Sequence, residues 1–367
     1  MISSVWIIAP SSVRAIDSGI WENREPTTAP EPRIHSPLTY HLNAGLVMLY
    51  GGFNENFDRY NDTWGYDYSQ NIWIDRNPST APPPTGGHCL SYDWDSRQLI
   101  FFGGQLSGGG SSLETLHQTW AYDYTANTWT NRTTSTHPVG VCWADMVYVV
   151  QAERQILFGG LRDGAIASAA TWEYDYDTNS WTLRSPAASP TSRFDHRMVY
   201  DQESDKVILV GGISSTGTIL SDVWAYDYTS NTWTQRTAFP TPIASHALSY
   251  DSNLDRVVLF GGCHNFDETD VSDQTWTYNY NTNTWTQLFP TPHPPPGVRT
   301  YMAYDHNTQH SILFSGRSPS PDPTLYDDTW ALHLFDLLPF PWFIVIFAII
   351  VIVIIIILII WFWRRRQ

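Results

Sequence analysis

Charge is scarce in this chain, and what there is leans acidic. Only 15% of its 367 residues are charged, with 36 acidic against 20 basic, and Lys206 is the single lysine. Leaving out Arg364, Arg365 and Arg366 at the C-terminus gives 17 basic against 36 acidic residues, or −19. A field of that sign repels phosphate backbones, which argues against a nucleic-acid partner. Cysteine is equally sparse. Cys89, Cys142 and Cys263 are odd in number and far apart, which suits neither a disulfide framework nor a CxxC metal site. They read as semi-buried thiols. The chain also lacks a GxSxG elbow, a P-loop and an HExxH pair, so no catalytic residue, metal or cofactor is expected.

Aromatic residues are abundant instead: 15% of the chain, including 18 Trp and 20 Tyr, enough flat apolar area for a large core. They recur in columns. A glycine pair follows a short apolar run at Gly51-Gly52, Gly103-Gly104, Gly159-Gly160, Gly211-Gly212 and Gly261-Gly262, and SILFSG ending at Gly316 is a sixth copy. Each is followed by a tryptophan: Trp64, Trp120, Trp172, Trp224, Trp276 and Trp330. Nine residues beyond the first five of these stands another: Trp73, Trp129, Trp181, Trp233 and Trp285. Tyr40, Tyr92, Tyr148, Tyr200, Tyr250 and Tyr304 each precede the first position of the pair by eleven residues, giving a period of 50 to 56.

This pattern resembles the kelch repeat, with its four strands per blade, from Trp21 to Trp330. The resemblance implies an all-β, six-bladed β-propeller. The apolar second strand is covered on both faces by neighbouring blades. The glycine pair sits where a Cβ would clash, W-x-Y-x-Y puts three aromatics on one face of the third strand, and DYTSN-like phrases turn into the fourth. The sixth copy lacks its second Trp, because Pro339 stands in that place. Trp21 precedes Tyr40 by the same nineteen residues that separate Trp73, Trp129, Trp181 and Trp285 from their own tyrosines. The N-terminal strand around Trp21 is therefore expected to close the last blade against Trp330, removing an exposed edge.

Beyond the propeller, placed at 19–335, a linker at 336–341 leads to an uncharged stretch from Trp342 to Trp363. Its 22 residues at about 1.5 Å each match a bilayer core, with aromatics at both ends, and predict one C-terminal transmembrane helix. The basic tail 364–367 favours a cytoplasmic C-terminus and an extracellular or lumenal propeller; the sequons at Asn61 and Asn131 suit that topology as glycosylation sites. The segment 1–18 makes a poor signal peptide, so a tail-anchored protein with a cytosolic propeller is the alternative. The short path from Trp330 to the span predicts that the loops between second and third strands point away from the membrane.

Those loops vary in length, from 12 to 16 residues between the second glycine and the Trp, and variable loops on a rigid frame are where binding resides. Candidate ligand contacts are Arg33, Arg193 and Arg299 near the starts of inner strands, with Phe57 and Tyr60 as exposed aromatics. The loop Gln105–His117 is expected to be mobile, and the loop from Cys263 to Asp270 reads as solvated and acidic. His88, His196 and His246 recur four residues before the column tyrosine and suggest packing near the ring centre. Kelch propellers are commonly interaction platforms, so the resemblance implies a membrane-tethered module binding a protein or glycan. The alternative is an enzyme acting on sugars or sialic acids in the central channel; a copper site built on a Tyr–Cys crosslink, as in some kelch enzymes, does not map onto these positions.

Overall fold

A computed structural model describes residues 17–321, 323–336, 346–347 and 349–354. Each 50-to-56-residue repeat folds as one four-stranded antiparallel sheet, and six such blades form a ring. Blade 1 runs Leu38–His41, Leu46–Phe53, Arg59–Asp67 and Ile72–Asp75, from the axis outward. The inner strands of blades 2 to 6 are Cys89–Asp93, Asp145–Val149, Arg197–Asp201, Ala247–Asp251 and Tyr301–Asp305. Blade 6 takes its outermost strand, Asp17–Asn23, from the N-terminal side of the chain and pairs it with Thr329–Asp336. The closure around Trp21 is thus present, and Arg24 N–H donates to Thr329 O at 2.8 Å.

The second strands are buried along almost their whole length, as in Leu46–Phe53, because a neighbouring blade lies on either face. The glycine pair sits at the seam. The second glycine of each pair donates its N–H to a carbonyl of the next blade, as Gly52 does to Thr85 O at 2.9 Å. That carbonyl is also what a side chain on the first glycine would strike. A Cβ at Gly51, at φ +59°, would lie 2.6 Å from Thr85 O. In blade 6, Ser315 takes the first position and its hydroxyl donates to Arg33 O.

The tryptophan and tyrosine columns join blade to blade. The outer Trp of one blade donates its indole N–H to a buried threonine of the blade before: Trp129 to Thr63 at 3.0 Å, Trp181 to Thr119 at 2.9 Å, Trp233 to Thr171 at 3.1 Å. The same bond spans both closing seams, Trp21 to Thr275 and Trp73 to Thr329, each at 2.9 Å. The first Tyr of each WxYxY phrase bonds the asparagine of its own turn, as Tyr66 does Asn71 at 2.8 Å. An arginine three residues past the outer Trp lies over the second Tyr of the following blade, from Arg24 on Tyr68 at 4.0 Å to Arg236 on Tyr280 at 4.2 Å.

Two seams differ. Val223 holds the threonine position of blade 4, Phe239 packs 4.8 Å from Trp285, and that indole, left half-exposed, donates to Thr237 O. Between blades 5 and 6, Leu288 and Leu334 replace the Arg–Tyr pair and share one apolar cluster.

By its internal contacts the chain divides into the propeller, 19–334, and a second unit made of the two chain ends. The expected membrane helix at 342–363 falls mostly outside the described residues, as do most of the 1–18 and 336–341 segments and all of the 364–367 tail. Residues 346–347 and 349–354 are helical, and among the described residues no helix is long and apolar enough to cross a membrane.

Replacing Thr329 or Thr275 by Val leaves a buried indole N–H without an acceptor. Each change should cost about 1–3 kcal/mol and lower the urea midpoint at unchanged slope, whereas the exposed Thr130→Val should move it little. A Thr329→Val midpoint equal to wild type would remove this bond from the account of ring closure.

Candidate functional site

Five residues before each column tyrosine stand His35, Gly87, Trp143, Asp195, Ser245 and Arg299. All six have φ between 53° and 66°, a backbone region that costs most residues on the order of 1 kcal/mol. What they gain is a closed ring of hydrogen bonds. Gly87 N–H donates to His35 O at 2.9 Å, Trp143 to Gly87 at 2.7 Å, Asp195 to Trp143 at 2.9 Å, Ser245 to Asp195 at 3.0 Å, Arg299 to Ser245 at 2.8 Å and His35 to Arg299 at 3.3 Å. The left-handed turn at each position aims one N–H and one C=O around the axis, and the ring borders the end of the channel that carries the loops between second and third strands.

The side chains on this ring make the centre of that face. The Trp143 indole lies against Gly87, where a Cβ would come within 2.6 Å of it, so this ring member has to be glycine. An aromatic track runs from Phe57 over Phe53 (6.3 Å between centroids) to His35 (6.0 Å), Trp143 (5.5 Å) and Phe194 (6.1 Å). Phe57 is 53% exposed, and the loops around it present Val139, Ile166 and Phe266 at 56%, 55% and 62%.

Polar groups flank the track. Asp195 is buried 3.9 Å from His35 Nδ1, and burial pushes its carboxyl up to about 6 against the pull of Arg197 and Arg299. Burial holds His35 well below its usual range, helped by Arg299 and Arg197, so it stays neutral. Glu268 receives Arg299 Nε at 2.8 Å and Arg317 Nε at 2.9 Å, clasping blade 5 to blade 6.

Several sequence expectations change here. Arg33 and Arg193 are not presented to a ligand: both are fully buried, because Asp62 and Asp222, 29 residues further on, take their guanidinium forks at 2.7 and 2.8 Å. Each also donates to the first glycine of its blade, Gly51 O and Gly211 O, at 2.9 Å. Tyr60 is half-buried, its ring 4.2 Å from the Arg33 guanidinium. Arg299 is on the face but engaged by Glu268, and Phe57 stands free. The Cys263–Asp270 loop is not simply solvated, since Glu268 is buried within it. The Gln105–His117 loop forms a short hairpin, Gln105–Ser107 on Glu114–Thr115. Asn61 and Asn131 are exposed.

The recurring histidines are packing groups. His88, His196 and His246 are buried with neither ring nitrogen partnered, and desolvation keeps them neutral, His88 as low as about 3. The three cysteines are buried and free. Among the described residues, no group of His, Cys, Asp and Glu side chains is placed to hold a metal ion.

Behind the ring lies a channel cavity of about 170 Å³. Asp145, Arg197 and Tyr301, from the beginnings of three inner strands, line its inner end, and the six column tyrosines with Trp94 and His306 line the opposite mouth. Asp145 is partly exposed and borders this channel, and burial lifts its carboxyl to about 6 although Arg197 pulls it down. No ring residue touches the cavity.

A raised folded-state pKa adds stability below the unfolded value, near 3.8, and loses it as pH climbs through about 6. Asp195→Asn, which keeps size and tolerance of positive φ, should therefore stabilise the protein by about 2 kcal/mol at pH 8 and by nothing at pH 4. Thermal melts across that range check it; a gain that is the same at both ends would contradict a charged, buried Asp195.

Comparison with known proteins agrees with this architecture. The family model described as the KLHDC2/KLHL20/DRC7 Kelch-repeats domain matches residues 12–188 and 146–337. Adagio-like protein 1 and Putative adagio-like protein 2, both of Oryza sativa subsp. japonica, are each 28% identical over 180 residues. That alignment covers 47% of this chain but only 27% of either relative.

Proposed function

The chain belongs to the KLHDC2/KLHL20/DRC7 kelch-repeat family, and from that premise we propose that it is an interaction module whose ring-centred loop face docks a partner protein. Kelch domains generally bind proteins. The observation that carries the reading is the exposed apolar set on one face: Phe57, Val139, Ile166 and Phe266 around half-exposed Trp143. Aromatic anchors at the centre of a patch with polar groups at its edge are the composition of protein interfaces. Arg317, paired with Glu268, supplies a polar group beside that centre.

The rival reading, sugar chemistry in the channel, has less to rest on. Hydrolysis of most glycosides, sialosides apart, calls for two carboxyl groups flanking the bond. Among the described residues Asp145 is the one carboxylate lining the cavity, and both its oxygens are engaged by backbone N–H groups, Met146 at 2.9 Å and Met198 at 2.7 Å. A glycan could still meet the aromatic face, and such binding is one outcome of the test below.

We further propose that residues 342–363 tether the module to a membrane, on the grounds of their length, lack of charge and aromatic ends. The Arg364–Arg366 tail favours a propeller outside the cytosol, with Asn61 and Asn131 as its glycosylation sites.

Cross-linking capture from cells should recover a protein partner with wild type and with an opposite-face control, Ser230→Asp, but lose it with Phe57→Asp combined with Phe266→Asp. A partner retained by the double variant, or recognition of glycans alone on an array, would contradict the protein-docking face. At alkaline pH the full chain should stay in the membrane pellet, whereas a chain ending at Asp336 should be released. Release of both would exclude the anchor.

A further inference from the structure

We propose that the inner end of the channel binds a short-chain carboxylate, held side-on by the Nε–Nη2 edge of Arg197. The site is separate from the protein-docking face, because the cavity opens at the other mouth.

Arg197 is a buried cation with half of its fork unbonded. Arg197 is only 3% exposed, yet it lines the cavity. Its Nη1 donates to His196 O at 3.0 Å, and the face of its guanidinium rests 4.0 Å from the Tyr301 ring. Its Nε and Nη2, which share one edge of the fork, have no acceptor among the described residues. Buried donors in folded proteins are almost always paired, so this edge calls for an acceptor. Three other arginines show what normally fills a fork. Arg317 turns the same Nε–Nη2 edge onto Glu268, and Arg33 and Arg193 spend their forks on Asp62 and Asp222.

No protein carboxylate accepts from this edge of Arg197, although Asp195 lies near enough to be drawn down by its charge and keeps Oδ1 unpartnered. Asp145 lies close enough for Arg197 to lower its pKa, but its oxygens are directed at Met146 N and Met198 N. The hydroxyl of Tyr301, the third residue at this end, is also unpartnered. Three unpartnered donors, Arg197 Nε and Nη2 and the Tyr301 hydroxyl, thus stand against one unpartnered acceptor nearby, Asp195 Oδ1, which suits a head group that only accepts, with two oxygens in one plane. Apolar side chains stand next to it, Leu90, Met146, Met198, Leu248 and Met302, with the hydroxyls of Thr39, Ser91 and Ser249 also on the lining. They favour a carboxylate carrying a short alkyl tail over a bare inorganic anion. The cavity, about 170 Å³, is below the roughly 300–1,000 Å³ of drug-sized sites, which limits the tail to a few carbons.

The test is calorimetric titration of the full chain, in a non-ionic detergent, with sodium propanoate at constant ionic strength. Saturable binding with a Kd on the order of a millimolar is expected. Arg197→Gln should weaken it more than tenfold, and Arg197→Lys, which keeps the charge but not the fork, should fall between. Val147→Phe narrows the shaft without touching Arg197 and should also abolish binding, which keeps the test decisive if Arg197→Gln does not fold. Absence of saturation, unchanged binding in both variants, or nitrate and sulfate binding as tightly as propanoate would each overturn the proposal. Loss of partner capture with propanoate binding intact would sink the docking face and leave this site standing.

Discussion

Everything in this molecule is arranged around six backbone hydrogen bonds that close on themselves at the axis. Each blade contributes one residue in a left-handed turn, and its N–H and C=O reach its two neighbours. A sheet stacked against another sheet can slide; a ring in which each member is bonded on both sides cannot, because a shift in one blade breaks two bonds. The ring thereby sets the width of the channel and fixes the start of every inner strand. It also decides which side chains, from His35 to Arg299, stand at the centre of the loop face.

Outward from that ring, each seam repeats a few contacts: a glycine N–H on the next blade's carbonyl, an indole on a threonine, an arginine on a tyrosine. These contacts are why the repeat was legible in the letters. A Cβ-free position, a buried aromatic with one donor and a flat cation–π pair each tolerate few residue types, so selection at every copy leaves a column. Where a column breaks, the packing changes with it. Val223 cannot accept from Trp285, and Phe239 occupies that seam instead. Leu288 and Leu334 show that the Arg–Tyr pair can be exchanged for apolar contact when both members change together.

The candidate site was far less legible, for a physical reason. The ring is held by backbone atoms, so its six positions share a conformation and not a residue type. Only their constant spacing of five from the column tyrosine marks them. Arg33 and Arg193 look like loop contacts in the sequence and are buried in the structure, because their partners, Asp62 and Asp222, come beside them only once the second and third strands have paired. Arg197 gave no signal at all: its unsatisfied edge exists only because six inner strands converge on one axis. Phe57 was readable as exposed because it sits in a loop with no repeat column to pack into.

The two proposed sites lie on either side of the ring, one on the loop face and one inside the channel behind it, and use different physics, apolar area at one and a single buried cation at the other. Both presuppose the closed ring. Residue-resolved hydrogen exchange of the amides of His35, Gly87, Trp143, Asp195, Ser245 and Arg299 tests it most directly. None lies in a named strand, so loop-like exchange is what an open axis would give. A closed ring predicts exchange as slow as the buried second strands, with all six amides opening only on global unfolding. Fast exchange at these positions while the strands stay protected would contradict it.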